Sequence, residues 1–257
     1  MNKKPTPLTA IENTPDPWHR LRTYTDARIA LGRTGGSLRT ESLLDFRMAH
    51  ARARDAVYAP FDAEAFAKEL SSAGIKTVMV SSRAQTRDDY LANPSLGRSL
   101  SGQAHRVLDV TEMPPQPDLC IIVSDGLSAN AAQRHAAATI VPLVRRLADA
   151  GWTLAPVFVV PLARVKIQDE IGARIHARIT LMLLGERPGL DSPDSLGAYF
   201  TYAPFSGSTD ADRNCVSNIR PEGLPPDSAS ETLFCLLTLS LRLGIGGVAL
   251  KDDKTLL

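Results

Sequence analysis

The side chains able to do chemistry sit mostly in loops. Ser124, Asp125 and Ser128 share one polar loop, and Glu186 stands in another, Gly185-Glu186-Arg187-Pro188-Gly189-Leu190. The first is not a serine-hydrolase elbow: Gly126-Leu127-Ser128 has the wrong spacing and no matching glycine. Leu31-Gly32-Arg33-Thr34-Gly35-Gly36-Ser37 has phosphate-loop colouring, but it lacks the Walker lysine and no strand signal precedes it. It reads as a turn before a helix. No G-x-G-x-x-G follows a strand, and Gly244-Ile245-Gly246-Gly247 lies too near the C-terminus to open a nucleotide-binding unit. His19, His50, His105, His135 and His176 are dispersed without ligand spacing and read as structural, His176 at a helix C-terminus. Cys120, Cys215 and Cys235 contain no C-x-x-C pair, which points to a reducing compartment and away from structural zinc.

The elements that must position these loops alternate tightly between Asp118 and Leu190. Leu119 to Val123 is a continuous apolar run suited to a strand buried on both faces. A helix follows, with Ala129, Ala132, Ala136, Ile140, Leu143, Val144 and Leu147 on one side, Ser128 as its cap, Gly151 as its terminator and a kink expected at Pro142. Leu154 to Val160 reads as the next strand, Lys166 to Ile175 as a short helix with Ile167 and Ile171 inward, and Ile179 to Leu184 as the third strand. That order implies parallel strands joined by right-handed crossovers, with the polar loops gathered at the edge where open α/β sheets bind ligands. The fold class is α/β, a mostly parallel sheet with helices on both faces, preceded by a helical N-terminal region.

The chain has 257 residues and a net charge of +1. Its near-neutral charge argues against a protein built mainly to hold nucleic acid. No apolar run reaches membrane-spanning length and no signal-peptide core follows Lys3-Lys4, so a soluble intracellular protein is expected. Proline-rich residues 1–17 read as a disordered tail, residues 18–113 as a helical region, and residues 114–257 as the α/β domain, with Pro114-Pro115-Gln116-Pro117 at the boundary. From Trp18 to Arg54 arginines dominate, Arg33, Arg39, Arg47, Arg52 and Arg54 among them. That helix, roughly Leu38 to Val57, is either a solvated face or a surface that docks on an acidic partner. Asp62 caps a further helix that Gly74 ends, Thr77 to Val80 reads as a short strand, and Leu100, Ala104, Val107 and Leu108 mark another helix. Beyond Leu190, Ala198 to Tyr202 alternates like a strand and Pro204 to Pro226 reads as turns. Ser228-Ala229-Ser230-Glu231 reads as a capping box opening a helix to Leu243, which Gly244 ends and Gly246-Gly247 leaves flexibly.

Five blocks, in order, carry a resemblance. They are Leu43-Leu44-Asp45-Phe46 running to His50-Ala51-Arg52-Ala53-Arg54-Asp55; Ile122-Val123-Ser124-Asp125-Gly126-Leu127-Ser128; Arg164-Val165-Lys166-Ile167-Gln168-Asp169-Glu170-Ile171-Gly172; Gly185 to Leu190; and Asp212-Arg213-Asn214-Cys215-Val216-Ser217-Asn218-Ile219. Together they resemble the small (light) subunit of ethanolamine ammonia-lyase, over nearly everything from Gly32 to Gly246.

The resemblance implies a Rossmann-like, cobalamin-binding domain. It also implies an adenosylcobalamin-dependent lyase that converts ethanolamine to acetaldehyde and ammonia by radical chemistry. A large partner subunit holds the ethanolamine and supplies the catalytic residues, none being assigned to this chain, and the cobalamin lies between the two subunits. By match of motif the cofactor contacts fall on Val165, Glu186 and Cys215. A corrin is a wide disc with amide arms. It suits an apolar contact, a carboxylate acceptor and a small residue near main chain, though Glu186 is otherwise a surface ion-pair residue and Cys215 an ordinary buried thiol. With no D-x-H-x-x-G present, the base-on cofactor is expected. Longer relatives carry an extension associated with a bacterial microcompartment, and only a short tail precedes Trp18 here, so residence in one is left open beside the cytoplasm. The alternative is a non-catalytic docking or scaffold subunit that keeps the fold without the cofactor.

Overall fold

Apolar runs too short for helices and bounded by polar turns become the strands of one sheet. The computed structural model describes residues 16–251 other than 26 and 35. The tail expected over residues 1–17 thus lies outside the described residues up to residue 15. The chain divides into two compact units, Met1–Ala51 and Arg52–Leu257. In the first, β1 (Arg33–Thr34) and β2 (Ser37–Leu38) pair antiparallel ahead of α1 (Thr40–Tyr58), and the turn expected in the glycine-rich segment lies partly outside the described residues. Arg28 pairs with Asp45 at 2.6 Å, while Leu44, Phe46, Arg47 and Met48 are exposed.

In the second unit the order is α2 (Ala63–Ser72), β3 (Thr77–Met79), α3 (Arg87–Ala92), α4 (Gly102–Val110), β4 (Leu119–Ser124) and α5 (Ala129–Ala131). A π-helical turn at Ala132–Ala136 leads into α6 (Ala137–Asp149). Then come β5 (Val157–Val159), α7 (Ile167–Arg174), β6 (Ile179–Gly185), β7 (Leu196–Tyr202), β8 (Arg213–Ile219) and α8 (Pro226–Leu243). The strands lie β3-β5-β4-β6-β7-β8; the first three pairings are parallel and the last two antiparallel. The sheet is therefore mixed, and its edge strand β3 comes from ahead of the proline cluster.

Alternation along each strand sorts the core into two layers. Leu119, Ile121, Val123, Leu181, Leu183, Ala198, Phe200 and Val216 face α2, α6 and α8, whose Phe66, Leu70, Ile140, Leu143, Leu233 and Leu237 are buried with them. Cys120, Ile122, Phe158, Met182 and Leu184 face the other way, with Ala104 and Leu108 of α4 and Ile167 and Ile171 of α7. Helices thus cover both faces. The caps read from the sequence are in place: Ser128 accepts from the Ala131 N–H, Asp62 from the Ala65 N–H, and Gly74, Gly151 and Gly244 all have left-handed backbone. His176 follows α7 with φ 55° and ends it by conformation.

Four expectations are corrected. The strand expected from Leu154 to Val160 is regular only over Val157–Val159; Leu154 makes an isolated bridge to Leu119. Residues 204–226 contain the seven-residue strand β8 as well as turns, so Cys215 lies on a strand and not in a loop. Helix α8 starts at Pro226, where a ring fits because the first helical N–H needs no partner. Ser230, inside α8, accepts from Arg146 Nη1 at 2.8 Å, so Ser228-Ala229-Ser230-Glu231 is helix interior. Gly247 is pinned rather than flexible: its N–H donates to Asn214 Oδ1 and its carbonyl accepts from Asn214 Nδ2.

Candidate functional site

From β4 the chain passes to β5 on one side and returns to β6 on the other, so the carboxyl ends of β4 and β6 flank the point where the winding reverses. Open sheets form their ligand crevice at that point. Here the loops after β4, β5 and β6 do meet. Asp125, the first residue after β4, is 3% exposed. Its Oδ1 accepts the Leu162 N–H at 2.6 Å and the Ser124 hydroxyl at 3.1 Å, and its Oδ2 accepts from Arg87 at 3.1 Å. Arg87 also donates to the Gly126 and Val57 carbonyls. Burial pushes the Asp125 carboxyl above its ordinary pKa, against the pull of Arg87. This carboxylate braces loops and faces no solvent.

Main chain closes the gap between β4 and β6. The Leu127 N–H donates to the Gly185 carbonyl at 2.8 Å, and a Cβ on Gly126 would lie 2.3 Å from that oxygen. The accessible part of the edge is thereby shifted toward β6, β7 and β8.

Glu186, the first residue after β6, occupies it. The side chain lies over β7 at Gly197, where a Cβ would come within 2.7 Å of Glu186 Oε1. Glu186 Oε1 accepts from the hydroxyls of Ser217 at 2.7 Å and Tyr199 at 3.3 Å. Oε2 accepts from the Ser195 hydroxyl at 2.5 Å and the Asn218 N–H at 3.3 Å. Four donors match the four acceptor positions of a carboxylate. A bulge supplies two of them. Ala198 pairs with Val216 but Leu196 with Ile219, so one extra residue of β8 stands between. The consecutive residues Ser217 and Asn218 are therefore both exposed, while Val216 and Ile219 stay in the core.

Cys215 pairs with Tyr199 across β7 and β8 and is exposed. Desolvation chiefly, and the Glu186 charge in the same direction, hold its thiol above the ordinary value; a Tyr199 hydrogen bond opposes them. The Tyr199 phenol is itself raised, by burial first and then by Cys215 and Glu186. Val165, half-buried in the β5–α7 connection, packs against the same apolar layer as Tyr199. Beside it Lys166 Nζ donates to the Ser206 and Ser208 carbonyls, tying this connection to the one between β7 and β8. A buried ion pair between Arg213, at the start of β8, and Asp169 of α7 adds a second tie.

Of the three sequence-selected residues, Glu186 and Cys215 share one cluster through Tyr199, and Val165 meets the apolar layer beneath it. Sequence reasoning did not pick out Tyr199, Ser195, Ser217 or Asn218. No local pattern marked Ser217, because the polar Asn214 and Asn218 break the alternation that a half-open strand would show. Among the described residues no group of three or more His, Cys, Asp or Glu could hold a metal ion, and no helix is long and apolar enough to cross a membrane.

Fold and edge together define an α/β protein whose sheet carries polar, exposed side chains at the carboxyl edge of β6 and on its antiparallel strand β8. The family model described as "Ethanolamine ammonia-lyase light chain (EutC)" matches residues 15–251. The chain is 47% identical over 249 residues to the ethanolamine ammonia-lyase small subunit of Ralstonia nicotianae, covering 96% of this chain and 91% of the relative. It is 50% identical over 242 residues to that of Azotobacter vinelandii, covering 93% and 90%, and 47% identical over 243 residues to that of Pseudomonas syringae pv. tomato, covering 94% and 85%. The chain belongs to the ethanolamine ammonia-lyase light-chain family, a family of lyase subunits.

Proposed function

We propose that this chain is the small subunit of an adenosylcobalamin-dependent ethanolamine ammonia-lyase and forms one wall of the cofactor site against a large subunit. The lyase converts ethanolamine to acetaldehyde and ammonia. The bound cofactor supplies the radical chemistry, and the protein supplies position and electrostatics. The observation that carries this reading is the convergence of Ser195, Tyr199, Ser217 and Asn218 on Glu186 at the carboxyl edge of the sheet. The residues fit the group. Half-buried Val165 offers apolar contact to a macrocycle, exposed Cys215 allows close approach of its rim, and the hydroxyls over Glu186 meet its amide arms. The base-on form of the cofactor is part of this reading.

The ethanolamine and the proton-handling groups belong to the large subunit. Exposed Arg47, Arg52 and Arg54 of α1 suit docking on an acidic part of that partner. The expected setting is the cytoplasm, with or without a microcompartment, and neither nucleic acid nor membrane is a partner. Of residues 18–113, proposed as a docking region, α1 then serves docking, while α2, β3 and α4 join residues 114–257 in the cofactor domain.

The test is reconstitution from separately purified subunits, with ethanolamine and adenosylcobalamin. Turnover and a bound-corrin spectrum are expected only when both subunits are present. Turnover by this chain alone, verified free of partner, would falsify the reading. Turnover by the large subunit alone, with no added corrin on assembly, would make this chain a docking subunit.

A further inference from the structure

Hydroxyl groups are ambivalent, able to give or accept a hydrogen bond, unless a neighbour fixes the proton. Glu186 is such a neighbour. A carboxylate only accepts, so the Ser217 hydroxyl, 2.7 Å from Oε1, must direct its proton inward. Ser217 is exposed on the open side of β8, so its remaining lone pairs face outward. Glu186 itself has no acceptor position to spare, since Ser195, Tyr199, Ser217 and the Asn218 N–H fill all of them. The group presented to a ligand is therefore an oriented oxygen acceptor backed by negative charge, one shell above the carboxylate.

We propose that Ser217 is a specificity-determining contact that accepts a hydrogen bond from a primary amide arm of the corrin, and that Glu186 is the positioning residue that fixes the Ser217 proton. The inference rests on the cofactor reading above and adds a selectivity to it. An amide N–H satisfies the outward lone pairs. A carboxylate in the same place meets lone pairs and the Glu186 charge, and is rejected.

The arrangement also dictates what Glu186→Gln does. The Asn218 N–H is a donor that cannot turn, so the glutamine oxygen must take the Oε2 position and its NH2 the Oε1 position. The Ser217 hydroxyl then accepts from the glutamine and turns its own proton outward. The site changes from acceptor to donor with little change of shape.

The experiment uses the assembled large–small complex and cyanocobalamin, beside its separated monocarboxylic acids, each with one side-chain amide hydrolysed, titrated by absorbance. In the wild type one acid isomer is expected to bind at least about tenfold more weakly than cyanocobalamin, the scale of one hydrogen bond plus a charge repulsion. Ser217→Ala is expected to weaken cyanocobalamin about tenfold, and Ser217→Thr, which keeps the hydroxyl, to restore most of the loss. Glu186→Gln is expected to narrow or reverse the preference for amide over that acid isomer. Unchanged cyanocobalamin affinity in Ser217→Ala, or equal binding of every acid isomer to the wild type, overturns the inference. A wild-type complex that binds no cyanocobalamin overturns the cofactor reading itself, which is a separate result.

Discussion

Asp125 and Glu186 leave neighbouring parallel strands, β4 and β6, at the same sheet edge, and each is the first residue past its strand. Their surroundings divide them. Asp125 is buried with Arg87 as counter-charge and the Leu162 N–H as a clamp, so its charge is spent inside the protein. Glu186 is half-buried, none of its four donors is a cation, and three are hydroxyls, of which that of Ser217 is exposed. A carboxylate matched to a cation holds loops together, whereas one matched to hydroxyls orients them. The difference comes from the neighbouring strands. β4 lies between parallel strands at the centre of the sheet, while β6 borders the antiparallel pair whose bulge brings Ser217 and Asn218 to it.

The comparison breaks most readily at Asp125. Asp125→Ala strands the Arg87 guanidinium and the Leu162 N–H in a buried setting, a loss of about 3–5 kcal/mol. Urea unfolding of the purified chain should register it, while Glu186→Gln, whose hydroxyl partners can turn to suit an amide, should lose no more than about 1.5 kcal/mol. Equal losses at the two positions would erase the distinction between brace and orienting group.

A smaller effect is expected on α1. Arg47→Glu with Arg52→Glu reverses two exposed charges without touching the sheet. Unfolding should be unchanged, and association with the large subunit should weaken by about tenfold or more at low salt, less at high salt. Co-elution that is indifferent to the double change across a salt series would return α1 to the role of a solvated face.

How much of this was legible in the sequence follows the same division. The parallel half was readable because buried strands such as Leu119–Ser124 and Ile179–Gly185 are continuous apolar runs, and because Ser128, Asp62, Gly151 and Gly244 are local signals acting on the nearest few residues. The antiparallel half was not. Only Val216 and Ile219 of β8 enter the core, three positions apart, so the bulge hides the period-two pattern and the strand reads as turn. Ser228-Ala229-Ser230-Glu231 has the form of a capping box, but Pro226 had already opened the helix and Ser230 was needed as an acceptor for Arg146. The ion pairs of Arg87 with Asp125 and of Arg213 with Asp169 join residues 38 and 44 positions apart, beyond any local pattern. For the candidate site, motif resemblance proposed Val165, Glu186 and Cys215. The hydroxyl layer over Glu186 exists only once β7 and β8 are paired.

Cys215 offers the most direct measurement of whether the β7–β8 wall faces the cofactor. Its thiol is exposed but held above the ordinary pKa, chiefly by desolvation, so it is labelled slowly at neutral pH and faster in mild alkali. Half-buried Cys235 on α8 lies outside the proposed site and serves as the internal reference. Alkylation of both in the assembled complex is followed by peptide mass spectrometry, with and without saturating cyanocobalamin. Protection of Cys215 by at least about tenfold is expected at high occupancy, with Cys235 unchanged. A Cys215 rate that is the same with and without the corrin would place the cofactor elsewhere and contradict the account.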